Sequence, residues 1–353
     1  MKANTFRRGF LFLLAFVLAA CRASSNTPVS TATSLPLNTA TATVAAQSTS
    51  TAAAATPTNE PEPLPGQIAY AHVEAISEGI GPRVAGTAEE ARTARYIILE
   101  FERLGYISEL RPFSVIVKGR NINSANVIAV KPGAYSQEII VGAHYDSVKV
   151  GKGADDNASG VAVILEVARR IRDQDTPYTI RFILFGAEEL GLQGSKYHVG
   201  HMTEDQIQNT IAMINLDSVT AGDLAYIYGD KGERGMIRAW ALGFAQDHNL
   251  ALQTQPGENP KYPAGTTGDW SDHAPFMNAG IPYTYFEATD WALGDKDGYS
   301  QVGTEYGENG KIWHTKYDTL EYLNATFPGR MQDRLNLSVT VLEAILTEFE
   351  VVK

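Results

Sequence analysis

The sequence has very little cysteine and fewer basic than acidic residues. Cys21 is the single cysteine among 353 residues, which excludes an intramolecular disulfide framework. Lysine and arginine number 29 against 40 aspartates and glutamates, the formal net charge is −11, and no block of basic residues occurs. We therefore do not expect nucleic acid or anionic membrane surfaces as partners of the folded part of the chain.

Two common hydrolase motifs are also missing. The chain contains no H-E-x-x-H segment, in which two histidines of one helix hold zinc, and no G-x-S-x-G segment, which presents a serine nucleophile. A cysteine nucleophile is excluded as well once Cys21 carries a lipid. What remains are acidic residues and histidines dispersed along the chain.

Long hydrophobic runs are absent, and the clearest apolar stretch lies at the N-terminus. The run from Phe10 to Leu18 follows three basic residues and is too short to span a bilayer comfortably. It ends in Leu-Ala-Ala-Cys at Cys21, which resembles the lipobox of bacterial lipoproteins. We predict that residues 1–20 are a lipoprotein signal peptide and that a lipid on Cys21 anchors the exported chain to a bacterial membrane, with the folded domain extracytoplasmic. The alternative is an ordinary signal peptide with a chance cysteine.

Residues 21–65 consist mostly of Thr, Ala, Ser and Pro and contain no aromatic residue. Such a segment buries too little apolar surface to offset the entropy lost on ordering. We therefore predict a disordered tether over 21–65 and a folded domain over 66–353.

Segments typical of helices and strands alternate through the folded domain. The helical patterns cover 69–76, 87–104, 159–171, 235–248 and 330–348, and the strand-like runs cover 113–117, 125–130, 138–143, 178–185, 211–216 and 282–286. Thr87 and Glu90 predict a capping box at the start of the second helix. The alternation predicts an α/β fold with helices on both faces of the sheet, whose binding crevice lies at the carboxyl ends of the strands.

Five short motifs are rich in acids and histidine, and four of them follow a strand-like run or a glycine-rich turn. They are HYD at 144–146, GADDNASG at 153–160, GAEELG at 186–191, NLD at 215–217 and HTKYDT at 314–319. Imidazole and carboxylate groups bind zinc, and a nearby carboxylate can orient a ligating ring. Of the adjacent Glu188 and Glu189, one can bind a metal while its neighbour transfers a proton.

Each motif alone also has an ordinary structural explanation. The histidines fit loop residues without a ligand, the acids of GADDNASG fit a helix N-terminus, and the paired glutamates fit a solvated turn. Asp217 ends an apolar strand and needs a partner, which a basic side chain could provide as well as a metal. The argument for a metal site therefore depends on the ordered set of five motifs.

With these motifs in this order, and with IGPRVAGT at 80–87 and SDHAPF at 271–276, the chain from about Gly81 onward resembles the co-catalytic di-zinc aminopeptidases related to aminopeptidases S and Y. The resemblance implies a three-layer α/β/α sandwich with a mixed, mostly parallel central sheet. It further implies that residues 66–353 form a zinc-dependent exopeptidase domain, which holds two Zn²⁺ ions and removes residues from peptides with a free N-terminus.

The resemblance also assigns roles to individual positions. It implies metal ligands at His144, Asp156, Glu189, Asp217 and His314, with Asp156 bridging the two ions. It implies that Glu188 is the general base and that Asp146 is the carboxylate behind His144.

Three further positions have less definite roles. Asp272 and His273 fall in a motif that lines the site in this family, and both are candidates for substrate contact. Trp313 stands where some relatives carry a tyrosine that helps polarise the scissile carbonyl. An indole N–H donates a hydrogen bond but cannot copy a phenol, so the polarising donor stays open.

The segment after the strand at 282–286 is acidic and is expected to border the same site. Residues 287–297 contain four acids and one lysine, and Glu287 and Asp290 are its candidate substrate-binding residues. An acidic wall would favour substrates with an N-terminal lysine or arginine through charge-assisted hydrogen bonds. The alternative is a solvated acidic loop, or one whose acids bind a structural cation.

Three other functions are compatible with parts of this pattern. A carboxypeptidase-type relative would need a basic cluster for the substrate carboxylate, and no arginine-rich motif is present. A glutaminyl-cyclase-like relative uses one zinc, which the full set of five ligands argues against. A metal-free binding ectodomain should have lost ligands, and this chain retains all five.

Overall fold

The computed structural model describes residues 62–351. The predicted signal peptide, Cys21 and nearly all of the predicted tether lie outside this range. Within it, none of the helices combines the length and the apolar character needed to cross a bilayer.

Eight strands of the described residues form one mixed sheet. They are β1 (Ser108–Val117), β2 (Arg120–Lys131), β3 (Tyr135–His144), β4 (Tyr178–Phe185), β5 (Thr210–Leu216), β6 (Leu224–Gly229), β7 (Leu252–Gln253) and β8 (Tyr283–Thr289), in the spatial order β1-β2-β4-β3-β5-β8-β6-β7. The four central strands β4, β3, β5 and β8 run parallel, whereas β1 and β2 pair antiparallel at one edge and β6 lies antiparallel to β8. The prediction of a mixed, mostly parallel sheet is confirmed.

Nine α-helices occur in the described residues. They are α1 (Gln67–Ser77), α2 (Ala88–Arg103), α3 (Gly160–Ile171), α4 (Gln193–Gly200), α5 (Glu204–Asn209), α6 (Met236–Asp247), α7 (His273–Asn278), α8 (Leu320–Thr326) and α9 (Arg330–Glu348).

The helices cover both faces of the sheet. Successive residues of a strand point to opposite faces, so neighbouring residues of β3 enter two different cores. Ile139 and Val141 of β3 face a core that includes residues of α1, α2, α3, α6 and α9. Ile140 between them faces a second core with Phe276 of α7 and side chains of α4 and α5. The three-layer α/β/α sandwich is therefore confirmed.

The start of α2 differs in detail from the predicted capping box. Thr87 caps the helix as expected, since its hydroxyl accepts a bond from the Glu90 backbone N–H at 3.4 Å. The Glu90 carboxylate, however, accepts from the Gly86 backbone N–H at 2.6 Å and from the Ser124 hydroxyl at 2.5 Å. Glu90 thus fastens the helix to β2 instead of completing the box.

The last residues of the predicted tether contact the domain. Glu62 forms an ion pair with Arg169 of α3. Glu166, a buried residue of α3, accepts hydrogen bonds from the backbone N–H groups of Gly66 and Ala69. These bonds provide partners for N–H groups at the start of α1 that have none within the helix. Residues 62–65, which belong to the predicted tether, thus include one that contacts the folded domain.

Candidate metal centre and substrate cavity

The carboxyl ends of the central parallel strands bring the five motifs to one edge of the sheet. His144 is the last residue of β3, and Asp217 directly follows β5. Glu188 and Glu189 lie in a short 3₁₀ turn just beyond β4. Parallel neighbours end on the same side, so residues far apart in sequence converge there.

His144 lies among three aspartates. Its Nε2 is 3.2 Å from Asp156 Oδ1 and 3.4 Å from Asp217 Oδ1. The other ring nitrogen, Nδ1, is 3.2 Å from the backbone carbonyl oxygen of Asp146 and 3.6 Å from its carboxylate. The carbonyl and the carboxylate of Asp146 therefore both lie behind the His144 ring, on the side away from Asp156 and Asp217.

The Asp146 carboxylate has a second role. It accepts the backbone N–H groups of Glu188 at 3.0 Å and Glu189 at 3.2 Å. Asp146 thereby holds the turn that presents both glutamates to the site.

His314 faces the other side of Asp156. Its Nε2 is 3.2 Å from Asp156 Oδ2 and 2.7 Å from Glu189 Oε2. The two oxygens of one carboxylate thus face two different histidines, each of which has a further carboxylate beside it. One donor atom from each of His144, Asp156 and Glu189 lies within 4.8 Å of the others, close enough to share a single ion.

Carboxylates outnumber histidines at this edge of the sheet, and they shift the pKa values of their neighbours. Burial alone disfavours a charged His144, yet the nearby Glu188 and Asp217 raise the pKa of His144 well above its usual value. Burial likewise opposes protonation of His314, but its bonds to Asp156 and Glu189 raise the pKa of His314 to about 10. For Glu188 burial is the main effect, and it raises the pKa of that carboxyl well above the usual range.

These residues fit a zinc site. Imidazole nitrogens and carboxylate oxygens are ordinary zinc ligands, and a cation would relieve the crowding of buried negative charge. Glu189 Oε1 is buried without a hydrogen-bond partner among the described residues, so it has a free lone pair where a ligand atom is needed.

The loop that carries Asp156 is held by carboxylates on its far side. Asp318 accepts the backbone N–H groups of Asp155 at 2.7 Å and Asp156 at 3.2 Å. Asp155 accepts the backbone N–H groups of Thr220 at 2.8 Å and Ala221 at 2.9 Å. The second acid of GADDNASG is thus presented to the site, while the first acid is a structural anchor.

Asp217 is oriented by a short hydrogen-bond chain that the motifs did not reveal. The Ser271 hydroxyl donates to Asp217 Oδ2 at 2.7 Å, and the Asn215 side-chain amide donates to the Ser271 oxygen at 2.8 Å. Ser271 belongs to SDHAPF and Asn215 to NLD, so the sequence contained both residues but no sign of their contact.

Arg83 is the other residue whose role was missed. It is fully buried, and its guanidinium donates to the backbone carbonyls of Tyr145 at 2.8 Å, Gly81 at 3.1 Å, Lys152 at 2.8 Å and Gly153 at 2.9 Å. Burial lowers the pKa of Arg83 to about 10, which keeps it charged at neutral pH. One side chain therefore ties the HYD loop to the GADDNASG loop, and the arginine of IGPRVAGT was the available signal.

Asp272 and His273 do not line the site, contrary to prediction. Both are fully buried behind it, and burial raises the pKa of Asp272 to about 7. The His273 ring stacks on Tyr285 at 4.9 Å between centroids, and its Nε2 is 2.9 Å from the Gly268 carbonyl oxygen. His273 therefore packs inside the protein, and neither residue is among those that line the cavity described below.

A cavity of about 240 Å³ opens beside the candidate metal ligands. Its walls combine acids, histidines and aromatic rings, namely His144, Asp156, Glu188, Asp217, Ser218, Trp270, Tyr285, Glu287, Gly298, Tyr299, Trp313 and His314. It is smaller than the roughly 300–1,000 Å³ of typical small-molecule sites, which suits the end of a peptide better than a long segment.

The two candidates from the acidic segment have different positions. Glu287 belongs to β8 and not to a loop, and its side chain lines the cavity. Asp290 lies outside the cavity wall, where its carboxylate accepts the backbone N–H of Ala292 at 2.8 Å. Of the four acids in the predicted acidic wall, only Glu287 is among the described residues that line the cavity.

Arg83→Lys should loosen both ligand loops, because one ammonium cannot reach four carbonyls that surround a planar guanidinium. We expect a loss of about 2–4 kcal/mol in the free energy of unfolding, measured by urea denaturation. Zinc binding should weaken in a chelator competition. Arg92→Lys is the matched control, because Arg92 is exposed and makes one 3.4 Å bond to the Ile80 carbonyl. Equal effects of the two substitutions would contradict the role given to Arg83.

Comparison with known proteins agrees with this architecture. A family model described as peptidase family M28 matches residues 126–339. The alkaline phosphatase isozyme conversion protein of Escherichia coli (strain K12) is 33% identical over 313 residues, which cover 80% of this chain and 90% of that protein. Aminopeptidase YwaD of Bacillus subtilis (strain 168) is 32% identical over 65% of this chain and 46% of its own length.

Solved structures share the fold at lower identity. BSAP, a zinc aminopeptidase from Bacillus subtilis, aligns with a TM-score of 0.65 and 20% identity over 82% of this chain and 97% of its own. A glutaminyl cyclase from Porphyromonas gingivalis aligns with a TM-score of 0.59 and 21% identity over 79% and 98% of the two chains. The match of the family model and the identity to the Escherichia coli protein show that this chain belongs to peptidase family M28.

Proposed function

We propose that this protein is a zinc-dependent aminopeptidase, which hydrolyses N-terminal residues from peptides with Glu188 as general base. The observation that carries the proposal is the carboxylate of Asp156, whose two oxygens lie 3.2 Å from His144 and 3.2 Å from His314. Membership of peptidase family M28 and the sequence identity to aminopeptidase YwaD support the same activity.

The ligand set supports two zinc ions per chain. His144 and Asp217 would hold one ion, Glu189 and His314 would hold the other, and Asp156 would bridge them. Zinc bound there supplies Lewis acidity toward the scissile carbonyl and lowers the pKa of the attacking water.

Glu188 is the residue best suited to move the proton. Its carboxylate lines the cavity, and its backbone N–H is held by Asp146. It would accept the proton of the attacking water and return it to the nitrogen of the departing amine. Asp146 acts indirectly, by fixing the turn from which Glu188 reaches the cavity.

The shape and charge of the cavity favour the N-terminal end of a peptide. The carboxylates of Asp156, Glu188 and Asp217 lie at its wall, where they attract a substrate ammonium group. A carboxypeptidase would instead need a cationic group for the substrate carboxylate, and no lysine or arginine is among the described lining residues.

Two other functions fit the donor set less well. A glutaminyl-cyclase-like enzyme uses one zinc, whereas the two oxygens of Asp156 face two different histidines, as expected for two ions. A binding ectodomain that holds no metal would not need to retain all five candidate ligands, nor a buried Glu189 oxygen that has no hydrogen-bond partner among the described residues.

Zinc-loaded protein should contain about two zinc ions per chain after dialysis, measured by elemental analysis. Chelation should abolish hydrolysis of aminoacyl anilides, and added zinc should restore it. Asp156→Asn should reduce the content of both ions, since one carboxylate oxygen is lost from the bridge. Less than one zinc per chain, or activity that survives chelation, would be incompatible with this site.

Glu188→Gln should keep the metal and lose activity, because an amide of nearly the same size cannot accept the proton. We expect kcat to fall on the order of 100-fold or more. Glu189→Gln is the informative comparison, because it should lower zinc content as well. If Glu188→Gln turns over at the wild-type rate with its zinc in place, the base is another residue.

We also propose that the enzyme is exported and held at a bacterial membrane by lipid on Cys21, with its catalytic domain extracytoplasmic. The lipobox-like sequence that ends at Cys21 and the Thr/Ala/Ser/Pro-rich segment after it support this location.

In a bacterial host, Cys21→Ser should release active enzyme from the membrane fraction, because two or more acyl chains anchor a protein firmly and this variant has none. Ser25→Ala, a small change outside the lipobox, should stay with the membrane. Equal membrane retention of Cys21→Ser and wild type would refute the lipid anchor.

A further inference from the structure

One part of the cavity takes no role in metal binding or proton transfer. It consists of the carboxylate of Glu287 and the rings of Trp270, Tyr299 and Trp313, all of which line the cavity. Glu287 directly follows Phe286, which pairs with Leu216 across β5 and β8. Glu287 on β8 is therefore next to Asp217, which directly follows the neighbouring β5, so this part of the cavity borders the candidate metal ligands.

The Glu287 carboxylate is rigidly oriented by aromatic side chains. The Tyr228 hydroxyl donates to its Oε2 at 2.8 Å, and the Tyr285 hydroxyl donates to its Oε1 at 3.2 Å. The Trp291 indole N–H in turn donates to the Tyr228 oxygen at 2.7 Å. These three aromatic residues are buried, so they hold the carboxylate in one orientation at the cavity wall.

Glu287 lacks a cationic partner within the described part of the chain. Its two hydrogen-bond donors are neutral hydroxyls, and burial raises the pKa of Glu287 to about 8. A buried carboxylate without a counter-charge is costly, and removing that cost strongly favours a ligand that brings a positive charge. Glu287 also lines the cavity, so such a ligand can reach it there.

The surrounding rings suit a long side chain that ends in a cation. Trp270 and Tyr299 lie 5.4 Å apart between centroids, and Tyr299 and Trp313 lie 5.8 Å apart. Such rings pack against methylene groups and attract a cation over their faces. Lys311 already lies over one face of Trp313, at 4.1 Å, which shows that this ring accepts an ammonium group.

Acidic side chains also surround this part of the cavity. Burial raises the pKa of Tyr299, and the charges of Asp297, Glu287 and Asp269 add to the effect. Three carboxylates therefore lie near Tyr299, one of the rings in the cavity wall.

We propose that this part of the cavity binds the side chain of an N-terminal lysine or arginine, with Glu287 as the residue that receives its positive charge. The inference rests on the proposed aminopeptidase function and names the substrate class of the same site. Trp270, Tyr299 and Trp313 would contact the methylene groups of that side chain.

The test compares kcat/KM for lysyl, arginyl, norleucyl and leucyl anilides with zinc-loaded enzyme. Norleucine matches the lysine chain except for the ammonium group, so the lysine-to-norleucine ratio isolates the charge. We expect a ratio of about 10 or more in the wild type, the range of one charge-assisted hydrogen bond. Glu287→Gln should lower this ratio by about 10-fold or more, with its zinc content unchanged.

Asp295→Asn is the matched control. Asp295 belongs to the same acidic segment but is exposed and lies outside the cavity wall. Removing its charge should leave the lysine-to-norleucine ratio within about 2-fold of wild type, as expected for a screened surface charge.

The remaining outcomes separate this inference from the proposed function. Leucyl or norleucyl substrates that outpace lysyl and arginyl ones would overturn the inference and leave the aminopeptidase intact. A Glu287→Gln variant that slows all substrates by the same factor would overturn it too, because Glu287 would then bind the α-ammonium group. Failure of the zinc-loaded wild type to cleave any of the four anilides would sink both proposals together.

Discussion

The carboxylate of Asp156 is the group on which the rest of the site depends. Its two oxygens face His144 and His314, so any shift of this one side chain changes both halves of the site at once. Its position is set from behind by Asp318, which accepts two consecutive backbone N–H groups of the loop. Arg83 fixes the same loop through backbone carbonyls. The contacts around Asp156 therefore consist of buried, charge-assisted hydrogen bonds, which hold geometry more firmly than apolar packing does.

Much of the fold could be predicted from the sequence, because long periodic segments specify their own structure. The bounds predicted for β4 and α9 match those observed, and the remaining long elements differ by a few residues at their ends. Short elements were missed, among them β6 (Leu224–Gly229) and α7 (His273–Asn278). Six residues are too few to show a helical or a strand period clearly, and such segments are ordered by the tertiary packing around them.

The site was predictable where a residue's role follows from its place in the chain. His144 ends an apolar strand, and the ends of parallel strands meet at one edge, so convergence could be expected. Contacts that depend on side-chain direction could not be foreseen. The carboxylate of Asp146 also accepts backbone N–H groups of the glutamate turn, and Asp272 is fully buried. Glu287 was assigned to a loop because β8 continues three residues beyond its apolar run.

The five candidate ligands come from well-separated segments between His144 and His314, and this spacing has a consequence for how the protein matures. Bringing such distant segments together requires closure of long loops, which is unfavourable until β3, β4 and β5 have paired. An unfolded chain therefore offers no compact set of ligands to an ion. Metal uptake must be a late event that follows assembly of the sheet, and a chain that crosses a membrane unfolded would acquire its zinc only in the compartment where it folds.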